Sequence, residues 1–208
     1  MNNNFCRDFA QIFLRYKKTI LWLYKGLVFL GLLTVFLTWL ITPLNPLWRD
    51  LGKLSGSASA VLLLLSLLPG IMKRFRVKGC LQSVQLVLMT YRRYLGITMY
   101  LTASTHYLWI KFFPAMVFGG SPLAANTFEL LGTMALMIAL PLFLTSNDKS
   151  MKFLKKNWHR LQKLSYLVLL FVVLHLWFLR EIESITLLMT LILVLEVSSH
   201  IFKKIRKK

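Results

Sequence analysis

Six apolar segments, each about 18–23 residues long, constrain this chain more than any other feature of its sequence. A helix needs about 20 predominantly apolar residues to cross a bilayer. Composition agrees, because 57% of the residues are hydrophobic and 16% are charged, against roughly 45–50% and 25% in soluble domains. We therefore predict an all-α membrane protein with one domain over residues 1–208. The predicted transmembrane helices cover residues 19–41, 55–72, 94–113, 127–144, 161–179 and 184–201.

Proline and glycine mark several of the predicted helix ends. Pro43 and Pro46 follow the first helix, and Pro114 is expected to end the third, since proline interrupts helical hydrogen bonding. The outer loop Gly119-Gly120-Ser121-Pro122 comes next. The apolar stretch 80–91 is too short to span beside the third helix, so we expect it to lie at the membrane interface.

Positive charges predict the orientation of these helices. Most Lys and Arg residues, 21 of 26, fall in four clusters at 7–18, 73–93, 149–163 and 203–208. Cytoplasmic loops are enriched in Lys and Arg, and six helices with both termini in the cytoplasm place all four clusters there. Only four cations are then on the outer side, namely Arg49, Lys53, Lys111 and Arg180.

The formal net charge of +19 raises the question of nucleic-acid binding. Proteins that bind nucleic acid carry a basic patch or stripe on a solvent-exposed face. Here the basic residues flank apolar helices instead. We expect no nucleic-acid partner, and we expect the charges to contact anionic headgroups of the lipid bilayer.

Two histidines lie inside predicted transmembrane helices. His106 is 12 residues beyond Tyr94, where the third helix is expected to enter the membrane, and His175 is 12 residues beyond Lys163, where the fifth helix is expected to enter. Each of these distances is about 18 Å at 1.5 Å per residue. Ionisable groups at such depth are costly and mark functional sites. Two imidazoles at one height can supply both axial ligands of a haem iron; alternatively, each hydrogen-bonds a neighbouring helix. His159 and His200 lie near the inner surface, where we expect solvated side chains.

Other chemistries find little support in the sequence. It contains no zinc-type ligand spacing, G-x-S-x-G or G-x-G-x-x-G motif, so no catalytic residue is predicted. Glu196 is the only carboxylate well inside an apolar segment, and Glu129 lies at a helix start, which is too sparse for a proton relay. Cys6 and Cys80 fall in the basic regions, where we expect reduced cytoplasmic thiols.

The sequence resembles a known family in three stretches and two glycines. The first stretch is Arg92-Arg93-x-Leu95-Gly96, with His106 beyond it. The second is Thr145-Ser146, followed by Leu154 and Trp158, and the third runs from Trp158 through Leu161 and Tyr166 to His175-x-Trp177. The two glycines are Gly56 and Gly132. The resemblance covers roughly residues 50–180. The family is the haem-binding membrane subunit of the periplasmic methionine-sulfoxide reductase, within the ferric-reductase-like transmembrane group.

The resemblance implies an electron-transfer function. It implies a b-type cytochrome of the bacterial inner membrane that passes electrons to a periplasmic molybdopterin-containing subunit, where methionine sulfoxide is reduced. It makes His106 and His175 the ligands of haem b, with a cytoplasmic flavin reductase or membrane quinol as donor and FMN or quinone as further cofactors. Arg92 and Arg93 then bind propionate, flavin phosphate or quinone, or serve only as topology anchors.

One residue departs from the family pattern, and two other functions stay open. The family commonly has histidine where this chain has Gln162, so we predict one haem. A ferric- or quinone-reductase-like component with another partner has the same fold. A haem-free membrane protein for transport or assembly is the alternative outside redox chemistry.

Overall fold

The computed structural model describes residues 3–41, 47–118, 126–179 and 184–205, which are helical with short turns and contain no strand. The helices are α1 (Asn3–Arg15), α2 (Lys17–Ile41), α3 (Leu47–Phe75), α4 (Cys80–Tyr107), α5 (Phe113–Val117), α6 (Thr127–Leu144), α7 (Asp148–Leu154), α8 (Lys156–Leu161), α9 (Leu164–Phe178) and α10 (Ser184–Ile205). Predictions about Pro43, Pro46, residues 119–122 and Arg180 concern residues outside the described ranges.

Five of the described helical stretches are long and apolar enough to cross a membrane. They are Lys17–Leu37, Arg49–Phe75, Thr127–Leu144, Lys156–Phe178 and Ser184–Ile205. These stretches confirm the all-helical prediction and correspond to five of the six predicted spans. The predicted third span, over residues 94–113, is not among them. Its helix carries Arg92, Arg93 and a run of hydroxyl side chains, which lower its hydropathy.

The predicted third helix is longer in the structure than in the sequence analysis. It begins at Cys80, so residues 80–91 are the first part of α4. At its other end, a π-helical segment over Leu108–Phe112 continues into α5, and Pro114 does not end the helix. Proline clashes with the carbonyl four residues earlier, and a wider π turn avoids that clash without stopping the helix.

The prediction of two reduced thiols is wrong in this structure, because Cys6 and Cys80 form a disulfide. The two residues are 74 positions apart in sequence, but α1 packs along the first half of α4. Tyr91 Oη donates to Phe13 O at 2.8 Å in the same contact. Sequence separation therefore gave no indication of the distance between the two cysteines.

A tight hairpin joins α3 and α4, which pack more extensively against each other than any other pair of described helices. Its turn includes Gly79 at φ 64°, a left-handed conformation that glycine adopts without steric cost. The hairpin makes the helices antiparallel, so the beginning of α3 faces the end of α4. Gly56 on α3 consequently lies against the ring of His106.

Helices α6 and α9 form the second closely packed pair. A capping interaction begins α6, where the Asn126 N–H donates to Glu129 Oε2 at 3.0 Å, satisfying a group that would lack a helical partner. Near the opposite end of α6, Trp158 Nε1 donates to Thr145 O at 3.2 Å. The core lies between the two pairs, with α10 against α3 and α9.

An ion pair connects α10 to α3 in the interior of the helix bundle. Glu196, whose side chain is 4% exposed, pairs with Arg74, which is 11% exposed. The same guanidinium donates through Nε to Ser199 Oγ at 2.6 Å. His200 Nε2 lies 3.3 Å from Glu196 Oε1. The buried carboxylate noted in the sequence is therefore part of a helix-to-helix contact.

Candidate functional site

His106 is fixed in orientation by α3. Its Nδ1 lies 2.8 Å from Gly52 O, an acceptor only, so Nδ1 must carry the proton and donate. A Cβ atom at Gly56 would lie 2.7 Å from the same Nδ1, which is closer than real Cβ contacts. The backbone of α3 thus supplies both the acceptor for the ring and the space beside it.

His175 repeats this arrangement on the other helix pair. Its Nδ1 lies 2.6 Å from Phe128 O on α6. A Cβ atom at Gly132 would lie 2.9 Å from that Nδ1. Each histidine is therefore held by a backbone carbonyl of the partner helix and has a glycine one turn further along that helix.

Both histidines line one cavity of about 450 Å³. Its volume is within the range of roughly 300–1,000 Å³ that is typical of small-molecule and cofactor pockets. α3, α4, α6 and α9 contribute most of the walls, with small side chains at Ala60, Ala103 and Ala135. Ala103, Val172 and Leu176, which are near the two histidines in sequence, also line the cavity, whereas their neighbours Thr102, Thr105 and Phe171 do not.

The two imidazole nitrogens fit a metal that is already coordinated by a cofactor and needs few ligands from the protein. Among the described residues there is no group of three or more His, Cys, Asp or Glu side chains able to hold a metal ion. With Nδ1 protonated and bound to a carbonyl, the second nitrogen of each ring, Nε2, keeps its lone pair for a metal. The porphyrin brings four nitrogen ligands to haem iron, so a protein would need to supply only one or two more, and imidazole is a common one. His106 and His175 can therefore hold a haem.

A second cavity lies beyond the first, toward the beginning of α4. It has a volume of about 620 Å³ and shares Leu63, Met99, Ala139 and Val168 with the histidine cavity. We call this side of the bundle the Arg92 end and the opposite side, where Arg49, Lys53 and Lys111 line the histidine cavity, the Lys111 end.

Arg92 and Arg93 line the cavity at the Arg92 end, so the structure does not bring them to the histidines. Arg93 donates to Asp148, while Lys17, His159 and Lys163 add further basic groups. Gln162, which stands where the family commonly has histidine, also lines this cavity. Its buried Nε2 has no hydrogen-bond partner within the described residues.

Sequence reasoning found the two imidazoles but missed the groups that orient them. Gly52 O and Phe128 O belong to backbone, so no side-chain pattern indicates them. The glycine at 56 and the glycine at 132 were visible in the sequence, four residues beyond each acceptor carbonyl. The two glycines are a signal that another group approaches the helix closely, but the sequence does not identify the acceptor carbonyls.

The fold and the paired histidines define a class of protein: a multi-helix protein with a cavity between two helix pairs, one imidazole facing it from each pair. The sequence model of the ferric reductase like transmembrane component family matches residues 55–178, which includes both histidines. The chain belongs to this family and is a multi-pass membrane protein.

The names of the curated relatives are more specific than the name of the family. The chain is 36% identical over 100 residues to the protein-methionine-sulfoxide reductase heme-binding subunit MsrQ of Xanthomonas campestris pv. campestris (strain B100). The aligned part covers 46% of this chain and 45% of that protein. It is 35% identical over 103 residues to the MsrQ of Agrobacterium fabrum, covering 48% and 47%. The matched part spans about half the length of these relatives. No solved structure matches the chain.

Proposed function

We propose that this chain is a membrane b-type cytochrome in which His106 and His175 bind one haem through their Nε2 atoms. The observation that carries the proposal is the matched pair of ring environments. Each Nδ1 is bound to a backbone carbonyl, at 2.8 Å and 2.6 Å, and both rings line the same cavity. The bound haem supplies one-electron redox chemistry, while the protein supplies ligation, orientation and an apolar surrounding.

The proposed topology is six transmembrane helices with both termini in the cytoplasm of a bacterial inner membrane. The crossing that is not among the five apolar stretches is α4 with its continuation to Val117, since it packs antiparallel along α3. The four basic clusters support this orientation. It places the Cys6–Cys80 disulfide on the cytoplasmic side, where disulfides are rare. The Arg92 end then faces the cytoplasm, and the histidines lie nearer the periplasm.

Electrons are proposed to arrive at the Arg92 end and leave at the Lys111 end. The Arg92-end cavity supports an electron carrier there, because Arg92 suits a phosphate or carbonyl oxygen and Gln162 Nε2 is a donor without a partner among the described residues. We propose a flavin such as FMN or a quinone as that carrier, reduced by a cytoplasmic flavin reductase or by quinol. The acceptor is proposed to be a periplasmic molybdopterin-containing methionine-sulfoxide reductase, in line with the names of the relatives.

The test is a reduced-minus-oxidised absorption spectrum of the protein purified after expression with a haem supply. We expect b-type bands that disappear in His106→Ala and in His175→Ala. His159→Ala and His200→Ala are matched controls, because neither residue lines the histidine cavity, and both should keep the bands. A wild-type protein without a Soret band, or one that keeps it in both cavity variants, would refute the haem site.

The partner is tested separately. A candidate molybdopterin subunit should oxidise the reduced cytochrome in proteoliposomes. Reduction of methionine sulfoxide by that subunit should stop when the cytochrome is replaced by its His106→Ala variant, which is expected to lack the haem. Rapid oxidation by ferric chelates or quinone, with none by the molybdopterin subunit, would favour a ferric- or quinone-reductase-like component.

A further inference from the structure

Three cationic side chains line the Lys111 end of the histidine cavity, and they differ in whether a carboxylate neutralises them. Lys111 Nζ donates to Glu129 Oε2 at 2.8 Å. Arg49 and Lys53, by contrast, have no ion-pair partner within the part of the chain that the structure describes. Both side chains belong to exposed residues. They therefore have the capacity to bind an anion at the mouth of the cavity.

The positions of Arg49 and Lys53 are unfavourable for cations unless an anion is present. Both lie in the first two turns of α3, where the helix dipole favours negative rather than positive charge. They also lie outside the four basic clusters, at what is proposed to be the periplasmic surface, where Lys and Arg are not enriched. Asp50 is adjacent in sequence, but it does not line the cavity and forms no ion pair with either cation among the described residues.

We infer that Arg49 and Lys53 bind the two propionate carboxylates of the haem, an inference that rests on the proposed function above. Arg and Lys form charge-assisted hydrogen bonds with carboxylates. Binding there also removes the cost of two carboxylates at the edge of an apolar cavity. The pair accounts for two cations that neither topology nor the helix dipole explains.

Distances along the helices favour this pair over Arg92 and Arg93. Gly56 is at the level of the His106 ring; Lys53 and Arg49 precede it by three and seven residues, about 4.5 and 10.5 Å at 1.5 Å per residue. Arg92 precedes His106 by 14 residues, about 21 Å along its helix. A group bound to the His106 ring is therefore much closer to α3's two cations.

This assignment has a consequence for the redox potential. Reduction of the haem adds one negative charge to the site. Two nearby positive charges stabilise the reduced form relative to the oxidised form, and they also hold the haem in the cavity. Removing them should lower the midpoint potential and speed haem loss.

The experiment compares wild type with Arg49→Gln/Lys53→Gln in nanodiscs, by redox titration of the Soret band and by haem transfer to an apoprotein scavenger. We expect a lower midpoint potential and at least tenfold faster haem loss, equivalent to about 1.4 kcal/mol. Arg49→Lys/Lys53→Arg keeps both charges and should restore both properties. Lys203→Gln/Lys204→Gln removes two exposed charges at the far end of α10 and should resemble wild type.

The outcomes separate this inference from the haem proposal. A wild type without b-type bands refutes the haem itself. A wild type with those bands, whose double glutamine variant matches it in potential and haem loss, overturns only the propionate assignment, as does an equal change in the Lys203/Lys204 control. If the double variant does not accumulate, the single variants Arg49→Gln and Lys53→Gln are compared in the same way, and each should show part of the shift.

Discussion

A single methyl group beside each histidine should disturb the haem site. In Gly56→Ala the new Cβ would lie 2.7 Å from His106 Nδ1 and 2.9 Å from Cε1. In Gly132→Ala it would lie 2.9 Å from His175 Nδ1. Neither ring can move away without lengthening its bond to the carbonyl of Gly52 or Phe128. The backbone groups that hold the rings therefore prevent the rings from yielding.

The size of the effect follows from these two contacts. Loss of a hydrogen bond costs about 0.5–1.5 kcal/mol, and overpacking a filled site costs about 1–3 kcal/mol. A sum of about 1.5–4.5 kcal/mol corresponds to a decrease in haem affinity of roughly tenfold to a thousandfold at 1.4 kcal/mol per factor of ten. Either alanine should thus lower the haem content of the purified protein.

Gly96→Ala is the matched control for this prediction. Gly96 is on α4 with His106, and a Cβ there would meet nothing within 4 Å. Alanine in a helix interior is also more favourable than glycine, by roughly 0.5–1 kcal/mol. The assay is the ratio of Soret to protein absorbance, followed by the rate of haem transfer to a scavenger. Haem retention in Gly56→Ala and Gly132→Ala equal to that in Gly96→Ala would refute the reasoning.

Two further predictions concern contacts away from the histidine cavity. Glu196→Ala leaves Arg74 without its carboxylate partner in the interior, so we expect a loss of stability of about 3–5 kcal/mol, measured as a lower melting temperature in detergent. Asp148→Ala, which removes the exposed partner of Arg93, should cost less than about 1 kcal/mol. Equal losses in the two variants would contradict the argument from burial. The Cys6–Cys80 disulfide should leave no thiol for maleimide modification of the denatured protein until a reductant is added, whereas two reactive thiols without reductant would contradict the pairing.

Much of the helical framework could be predicted, because it depends on local sequence. The span predicted over residues 127–144 coincides with α6, since a capping residue and an apolar run determine its ends. The candidate ligands were also predictable, because a histidine in an apolar segment is conspicuous. These features need no knowledge of which helices are neighbours.

Features that depend on packing between helices could not be predicted in the same way. The disulfide between Cys6 and Cys80 requires α1 to lie along α4, and nothing in either segment indicates that contact. The extension of α4 past Pro114 depends on a π turn that hydrophobic periodicity does not reveal. Similarly, Arg49 and Lys53 were recognised as cations outside the basic clusters, but only the structure places them at the mouth of the histidine cavity.

Electron paramagnetic resonance of the oxidised protein tests the paired-histidine site most directly. Axial ligation by both His106 and His175 should give the low-spin ferric signal of a haem with two imidazole ligands, at one haem per chain. His106→Ala and His175→Ala should each lose that signal together with the haem. A purified wild type without haem, or with a high-spin signal that neither substitution changes, would contradict the site.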